Sequence, residues 1–362
     1  MAPPRIPLLR VAGTFREVGA AIGEACVETI AREVDAGAWT VPSGRTVAEQ
    51  LALADRYAEP TRAAMPWIFE ELEGCADGAG VDPRALWACC IEEIWYEPRV
   101  AGRPGAAIAG RCSDLVAVPP ATADGHVLTA HNNDMSRSYQ HDLVAIERTC
   151  GEDPTVLTIG NGIWISTGWN DAGLNLTGNE LSPNDERVGI PREIQVRAML
   201  RERTMRGMLD VALHPDRASS YNNVLVDALG EVANVEGSAT DAVVVGADAH
   251  GHLVHTNHYV CDPMLRYEGD PEYAVLSQRR YARAAQLLAG APDGSVTMEL
   301  LHSFLQDHEG APDSLCRHEA PGRTSVTAFW CVADMTDGAV RFGRGNPCDS
   351  EVQEHRFGAA AA

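Results

Sequence analysis

The spacing of apolar residues changes near residue 105, and the first part of the chain has a helical period. Apolar residues recur there at three- and four-residue intervals among many Ala and Glu residues, which is typical of amphipathic helices. Asp82 followed by Pro83 indicates a helix start, because Asp caps the free N–H groups and proline fits the first helical position. The predicted helices span residues 14–39, 47–65, 66–78 and 82–97.

After residue 111, short β segments separated by turn residues dominate the pattern. Two helical stretches interrupt them, 190–215 with 217–233 and 275–290 with 297–306. Strand clusters alternating with paired helices predict an α+β fold in which stacked sheets carry helices on both outer faces. The predicted strands are 113–118, 126–131, 142–149, 155–160, 163–169, 173–178, 241–247, 252–256, 325–333 and 338–343.

The acidic composition of the chain bears on which classes of molecule it can bind. The chain has 362 residues, 51 acidic and 29 basic, with a net charge of −22. So acidic a protein lacks the basic patches that nucleic acids and anionic membranes require, and we expect it to bind neither. No apolar run reaches the roughly 18 residues of a membrane span, and the N-terminus has no signal-peptide pattern. We therefore expect a cytoplasmic protein.

The cysteines and histidines do not predict a metal site. Ten cysteines show no CxxC pair, and most lie in apolar segments, as buried free thiols do in a reducing compartment. His255 and His258 have a spacing found in metal sites, but they follow a strand without an accompanying carboxylate motif. We expect both to be structural, and we expect no metal and no organic cofactor.

Cys112 is the leading candidate for chemistry. It opens a predicted hairpin whose second strand ends in His131-Asn-Asn-Asp134, and it follows a stretch, 100–111, rich in Gly, Ala, Pro and Arg. Such a stretch is typical of an exposed linker. An enzyme that cuts itself before Cys112 gains an α-amine that can serve as base for the thiol. The amine titrates near about 8 and the thiol near about 8.5, so small shifts give a reactive thiolate.

Several further segments, in the same order along the chain, resemble the acyl-coenzyme A:6-aminopenicillanic-acid acyltransferase family, the C45 peptidase group of N-terminal-nucleophile hydrolases. His255-Thr-Asn-His258 matches a family block letter for letter, and Cys112-Ser113 stands where the family has Cys-Thr or Cys-Ser. The other similar segments are Gly13–Gly23, Leu72–Gly80, Ala130–Asp134, Trp169–Leu174, Ser314–Arg317 and Val340–Pro347.

The resemblance implies a four-layer αββα sandwich made as a proenzyme. Cleavage before Cys112 would give a helical fragment, 1–111, and a catalytic fragment, 112–362, that stay together as one globular domain. Family activities are amide hydrolysis and acyl transfer between thioesters, amines and amides, including acyl exchange on penicillin nuclei in secondary metabolism. An acyl-CoA or carrier-bound thioester would be a co-substrate, and the partners would be a small amide or thioester and the chain's own cleaved fragment.

The resemblance also implies roles for individual residues. Cys112 would be the nucleophile and form an acyl-thioester. Asp134 would hold the new ammonium beside the sulfur. Without its spacing from Cys112, Asp134 would be interpreted as a turn aspartate after a strand. Asn257 would donate its amide to the oxyanion, a contribution of a few kcal/mol in typical hydrolases. Asn179 is a second candidate donor, equally consistent with a turn asparagine.

Two departures from the family pattern concern processing and substrate recognition. Arg111 stands where the family usually has glycine, so the strain that promotes self-cleavage differs. Ser325 falls where the penicillin acyltransferase has an arginine, and Arg323 lies two residues earlier, so both are candidate substrate contacts and the penicillin substrate is in question. His131 is a third such candidate; it would tune the thiol or touch substrate, or be structural.

Two alternatives remain open at the level of sequence. A papain-like thiol protease would use a Cys–His pair and work as the intact chain, although no aromatic-flanked cysteine opens a helix here. A degenerate family member would neither cut nor turn over and would act as a binding partner. The sequence leaves the acyl group, its acceptor and the oligomeric state open, a homo-oligomer included.

Overall fold

Two β-sheets lie face to face in the computed structural model, which describes residues 4–35, 45–95, 111–323 and 325–357. In spatial order, the eight-stranded sheet contains β1 (Leu8–Gly13), β4 (Val144–Cys150), β5 (Val156–Gly160), β6 (Ile165–Asn170), β7 (Leu174–Asn179), β8 (Asn222–Asp227), β9 (Val232–Gly237) and β10 (Ala242–Val245). The six-stranded sheet contains β11 (His252–His255), β2 (Arg111–Ala117), β3 (Leu128–Ser136), β12 (Ser325–Asp334), β13 (Ala339–Arg344) and β14 (Gln353–Arg356). Neighbouring strands pair antiparallel except β1 and β4, which are parallel.

Helices cover the outer face of each sheet. The helices are α1 (Phe15–Ala25), α2 (Val27–Asp35), α3 (Val47–Ala64), α4 (Trp67–Ala79), α5 (Pro83–Cys89), the short α6 (Tyr139–Asp142), α7 (Arg192–Met199), α8 (Met205–Ala212), α9 (Pro271–Ala289) and α10 (Met298–Leu305). Helices α1 to α5, α7 and α8 pack on the eight-stranded sheet, and α9 and α10 pack on the six-stranded sheet.

Alternation along the strands places the core between the layers. In β2, Val116 packs into the core between the sheets, whereas Leu115 packs towards α9 and α10. In β4, Ala145 faces the other sheet and Ile146 faces the helices of the N-terminal segment. The two faces of each sheet are therefore both apolar, which confirms the expected αββα layering.

One predicted helix is wrong. Residues 217–233 form β8 and the start of β9, joined by a turn at Gly230, whose φ of +93° suits glycine. The valines of Asn222–Asp227 favour a strand, and the buried Asn222 donates hydrogen bonds to Asn179 and Asn234 on the neighbouring strands. The predicted helix 190–215 is two helices, α7 and α8, separated by residues 200–204.

The N-terminal segment is not wholly helical. Strand β1 extends the eight-stranded sheet by pairing with β4, so this segment completes the sheet as well as covering it. Strand β14, near the C-terminus, was likewise absent from the sequence prediction. The predicted linker 100–111 and the ends of the predicted helices 14–39 and 82–97 lie largely outside the described residues.

Helices α1 and α4 cross at very short range through glycines. Gly19 and Gly23 of α1 lie against the backbone of α4, and Gly74 and Gly78 of α4 lie against the backbone of α1. A Cβ atom at Gly19 would overlap the carbonyl oxygen of Glu71. The two similarly spaced glycine pairs therefore set the distance between these helices and fix the N-terminal segment on the sheet.

We expect Gly19→Ala to destabilise the protein, although alanine favours an isolated helix by about 0.8–1 kcal/mol over glycine. Backbone overlap would outweigh that gain, with a net loss of about 3 kcal/mol or more and a Tm lower by about 5 °C. Gly246→Ala is the matched control, because its added Cβ would meet only ordinary contact at 3.4 Å. Differential scanning calorimetry measures both, and an unchanged Tm for Gly19→Ala would contradict the close packing.

Candidate active site

The pairing of β2 with β3 sets the geometry around Cys112. In this ladder Cys112 lies opposite Asn133, Asp114 opposite His131, and Arg111 opposite Asp134. Since side chains alternate along a strand, Cys112 and Asp114 share the face that looks towards the other sheet, together with His131 and Asn133. Asp134 belongs to the opposite face, towards α9.

The Cys112 thiol is buried and lies between an amide and an imidazole. Asn133 Nδ2 is 3.6 Å from its Sγ. Burial raises the pKa of the thiol above its ordinary value, and the neighbouring His131 lowers it in part. The environment therefore holds a neutral thiol but contains one cation that favours the thiolate.

His131 and Asp114 form a buried ion pair beside the thiol. His131 Nδ1 lies 2.9 Å from Asp114 Oδ1, and both side chains are almost fully buried. Burial disfavours the imidazolium, but Asp114 and the Cys112 sulfur outweigh it and raise the pKa of His131 to about 10. The ion pair with Asp114 thus favours the imidazolium form of His131, a cation that would stabilise a thiolate at Cys112.

A polar network between the two sheets holds Asp114 in place. Asn179 Nδ2 donates to Asp114 Oδ2 at 2.7 Å. The Oδ1 of Asn179 accepts from Asn222 Nδ2 at 3.1 Å and lies 3.0 Å from His255 Nδ1. The other nitrogen of His255 is 2.9 Å from Glu236 Oε1. Asn179 therefore positions Asp114, and His255 is one of the groups that position Asn179.

The backbone of Cys112 is held by Asn257 and Arg280. The Cys112 N–H donates to Asn257 Oδ1 at 2.7 Å, and its carbonyl accepts from Arg280 Nη1 at 2.7 Å. Arg280 also donates to Ser113 Oγ and to Asn257 Oδ1, each at 2.8 Å. The amide group of Asn257 donates to the carbonyl of Glu180 at 3.1 Å. Asn257 and Arg280 therefore fix the backbone of Cys112 and so the position of its thiol.

Asp134 is a fully buried carboxylate next to this peptide. Its Oδ1 accepts from Thr327 Oγ1 at 2.8 Å, and its Oδ2 is 3.7 Å from Arg317 Nε. Burial raises the pKa of Asp134 to about 6, although Arg317, Arg280 and Thr327 oppose the rise. Its Oδ2 accepts no hydrogen bond from the described residues.

A cavity of about 270 Å³ opens beside the thiol, with Cys112, Asn133 and Asn179 in its wall. Its volume is close to the lower end of small-molecule sites. Its aromatic wall residues are Trp95, Tyr139, Trp164 and Tyr221. Its acidic wall residues are Glu33, Glu92, Asp142, Glu180 and Glu193. Burial raises the pKa of Glu193 to about 8, so this carboxyl is largely protonated at neutral pH.

The remaining sequence candidates lie apart from this cavity. Arg323 donates to Asp313 Oδ2 at 2.6 Å, and Ser325 pairs with Ser136 at the beginning of β12. Neither lines the cavity, and neither does His131, which lies next to the thiol. Within the described ranges, no group of potential metal ligands lies around Cys112.

Sequence reasoning missed three residues of the site. Asp114 and Asn133 could have been found from the sequence, because alternation in a hairpin opened by Cys112 places both on the face of the thiol. No sequence pattern identifies Arg280. It lies among Gln, Arg and Tyr residues on α9, a pattern typical of a solvated helix surface, yet it is 1% exposed.

Of the helices in the described parts of the chain, none combines the length and the apolarity that crossing a membrane requires.

Two solved structures are only weakly similar to this chain. Conjugated bile acid hydrolase from Clostridium perfringens has a TM-score of 0.44 and 13% identity, covering 69% of this chain and 98% of that one. Penicillin V acylase from Agrobacterium tumefaciens has a TM-score of 0.46 and 14% identity, covering 68% and 86%. Because these TM-scores are low, the family of this chain is assigned from the sequence comparisons.

The sequence comparisons cover most of the chain. The 40 kDa form of the acyl-coenzyme A:6-aminopenicillanic-acid-acyltransferase of Emericella nidulans is 25% identical over 346 residues, 93% of this chain and 92% of that protein. The profile of the acyl-coenzyme A:6-aminopenicillanic acid acyl-transferase family matches residues 121–348, more than half of the chain. This chain therefore belongs to that family and is an enzyme of the N-terminal-nucleophile class of acyltransferases and amide hydrolases.

Proposed function

We propose that the chain cuts its own Arg111–Cys112 bond and then uses Cys112 to cleave or transfer an acyl group of a small amide or thioester. The observation that carries this proposal is the position of the thiol. The thiol lies near the start of β2 at the wall of a cavity, beside the buried His131 imidazolium. Asn257 accepts from the backbone N–H of Cys112, and Arg280 donates to its carbonyl.

In the self-cleavage step, the sulfur of Cys112 attacks the carbonyl carbon of Arg111. The C–N bond breaks, the nitrogen of Cys112 leaves as an amine carrying the proton of the thiol, and water hydrolyses the thioester to a carboxylate and a free thiol. Two contacts support this course. The His131 imidazolium favours the attacking thiolate, and Asn257 holds the leaving N–H through its Oδ1.

In turnover, the new α-amine accepts the proton of the thiol as the sulfur attacks the substrate carbonyl. The leaving amine or thiol departs protonated, and water or an acceptor amine then takes the acyl group from sulfur. Asp134 supports this step, because it lies opposite Arg111 in the ladder, one residue from that amine, and its Oδ2 accepts no hydrogen bond from the described residues. An ammonium there would be held in place by a buried carboxylate.

Candidate donors to the oxyanion surround the thiol. Asn257 retains one amide N–H beyond the one given to Glu180, and Asn133 Nδ2 lies within 3.6 Å of the sulfur. Asn179 Nδ2 gives one N–H to Asp114 and, like Asn257, retains a second. We therefore assign the oxyanion to Asn257 and Asn133, with Asn179 as a further candidate donor that also positions Asp114.

The cavity indicates a class of substrate. Aromatic walls favour an apolar or planar acyl group, whereas the surrounding carboxyls disfavour an anionic one. We therefore propose a small neutral or amine-bearing amide, with an acyl-CoA as an alternative acyl donor by analogy with the name of the Emericella nidulans relative. The Arg323 and Ser325 candidates are not among the wall residues, although Ser325 pairs with the wall residue Ser136.

The first test is an intact mass spectrum of the purified chain. We expect two fragments, ending at Arg111 and beginning at Cys112, in the wild type and one full-length chain in Cys112→Ala. Cys261→Ala is the control, because this half-buried thiol lies outside the cavity and should leave the cut unchanged. A wild-type chain that stays whole would contradict self-processing.

A second candidate function is favoured by the His131–Asp114 pair. Such a pair can activate a thiol without an α-amine, so the intact chain would already act as a Cys–His hydrolase. The mass spectrum separates the two candidates when combined with a thioester hydrolysis assay. An uncut chain that turns over thioesters would favour the Cys–His enzyme.

We expect His131→Gln to make the Cys112 thiol less acidic, since it removes a cation that lowers the thiol pKa. An increase of about one pKa unit would lower the alkylation rate at pH 7 about tenfold and move the rate–pH profile to higher pH. The rate of iodoacetamide labelling of Cys112, followed by peptide mass spectrometry, measures this. His126→Gln, at a partly exposed histidine far from the thiol, should have no effect; equal profiles for all three proteins would contradict the role of His131.

A further inference from the structure

Four metal-ligating side chains converge on the surface of the six-stranded sheet, far along the chain from Cys112. His308, Cys316, His318 and Cys348 each place one donor atom within 4.8 Å of all the others. They come from two segments: His308, Cys316 and His318 lie in the loop between α10 and β12, and Cys348 lies in the turn after β13. The fold thus brings two imidazoles and two thiols together at one place.

The spacing of the donor atoms matches the edges of a tetrahedron around zinc. Bond lengths of about 2.3 Å to sulfur and about 2.0–2.1 Å to nitrogen give edges of about 3.8 Å between sulfurs, about 3.6 Å between sulfur and nitrogen and about 3.3 Å between nitrogens. The two sulfurs of Cys316 and Cys348 are 3.6 Å apart, and each lies 3.6 Å or 3.4 Å from His318 Nε2. His308 Nε2 is 3.0 Å from His318 Nε2.

We propose that these four residues bind one Zn²⁺ in a tetrahedral Cys₂His₂ site. Thiolates and imidazoles together select zinc over the oxygen-preferring Mg²⁺ and Ca²⁺. Four protein ligands fill the tetrahedron, so the site is structural and leaves no position for a catalytic water. His308, His318 and Cys348 are exposed and Cys316 is buried, so the ion can enter from solvent.

Neighbouring contacts support the ligand arrangement. Asn346 Nδ2 donates to Cys316 Sγ at 3.4 Å and to the carbonyl of Arg317 at 2.7 Å. Such contacts orient a thiolate ligand and offset its charge. The site would tie the loop that carries Arg317, a neighbour of Asp134, to the turn after β13. The CxxC and HxxH spacings that mark metal sites in sequence do not identify these ligands, because three lie in one long loop and the fourth follows β13.

The test is the zinc content of the full chain, purified with a thiol reductant and without chelators, measured by inductively coupled plasma mass spectrometry. We expect about one zinc per chain in the wild type and less than about one tenth in Cys348→Ser and in His308→Ala. Both ligands are exposed, so loss of either leaves the core intact. Cys261→Ser and His250→Ala are matched controls, since neither residue belongs to the cluster, and both should keep their zinc.

Cobalt substitution and thiol analysis complete the test. Co²⁺ in place of zinc should give the strong visible absorption of tetrahedral coordination and a thiolate charge-transfer band, both absent from Cys348→Ser. Zinc that persists in both ligand variants would overturn the proposal, and so would a reduced wild-type chain that takes up no zinc on dialysis. A Cys316–Cys348 disulfide in the purified protein, lighter by two hydrogens, would also overturn it. None of these results depends on the Arg111–Cys112 cut.

Discussion

The register of β2 against β3 is the constraint on which the site depends. Because Cys112 lies opposite Asn133 and Asp114 opposite His131, one face of a two-stranded ladder collects a thiol, an amide and an ion pair. A slip of β2 by one residue would turn Cys112 and Asp114 towards α9 and α10 and would leave His131 and Asn133 facing the other sheet. The apolar neighbours on both faces, Leu115 towards the helices and Val116 between the sheets, oppose such a slip.

Sequence predicted the layers of the fold and the strand that carries Cys112 better than it predicted the electrostatics around the thiol. Alternation identified the strands that carry Cys112, and Asp134 and Asn257 do lie beside its peptide. The helix predicted for residues 217–233 is wrong because the buried Asn222 bonds Asn179 and Asn234 on the neighbouring strands, so its polarity does not mark a surface. Arg280 could not be predicted as a site residue, because the sequence of a helix does not distinguish a buried arginine from a solvent-exposed one. Its partners, the carbonyl of Cys112 and Asn257, are far along the chain and are joined to it only by the fold.

Burial gives these charged groups most of their influence. A lone imidazolium between two sheets would lose its proton, yet Asp114 keeps His131 charged, with a pKa of about 10. Asp114 is in turn held by Asn179, whose carbonyl is fixed by Asn222 and His255. A chain of hydrogen bonds through the eight-stranded sheet therefore sets the charge beside a thiol on the other sheet. This accounts for the buried asparagines between the sheets beside Cys112.

The state of Asp134 favours the proposed cut over an enzyme that stays whole. Its pKa of about 6 exceeds its ordinary value of 3.8, so the folded chain binds this proton more tightly than the unfolded chain does. A buried carboxyl of this kind lowers stability as pH rises above the unfolded value, and the loss is complete above about 6. In the uncut chain the neighbouring peptide nitrogen is neutral and cannot compensate. Cleavage before Cys112 would add an ammonium beside this carboxylate, whose Oδ2 lies 3.7 Å from Arg317 Nε, and this further cation would lower the pKa of Asp134 and reduce the cost. The same carboxylate would then hold the amine where it can accept the proton of the thiol.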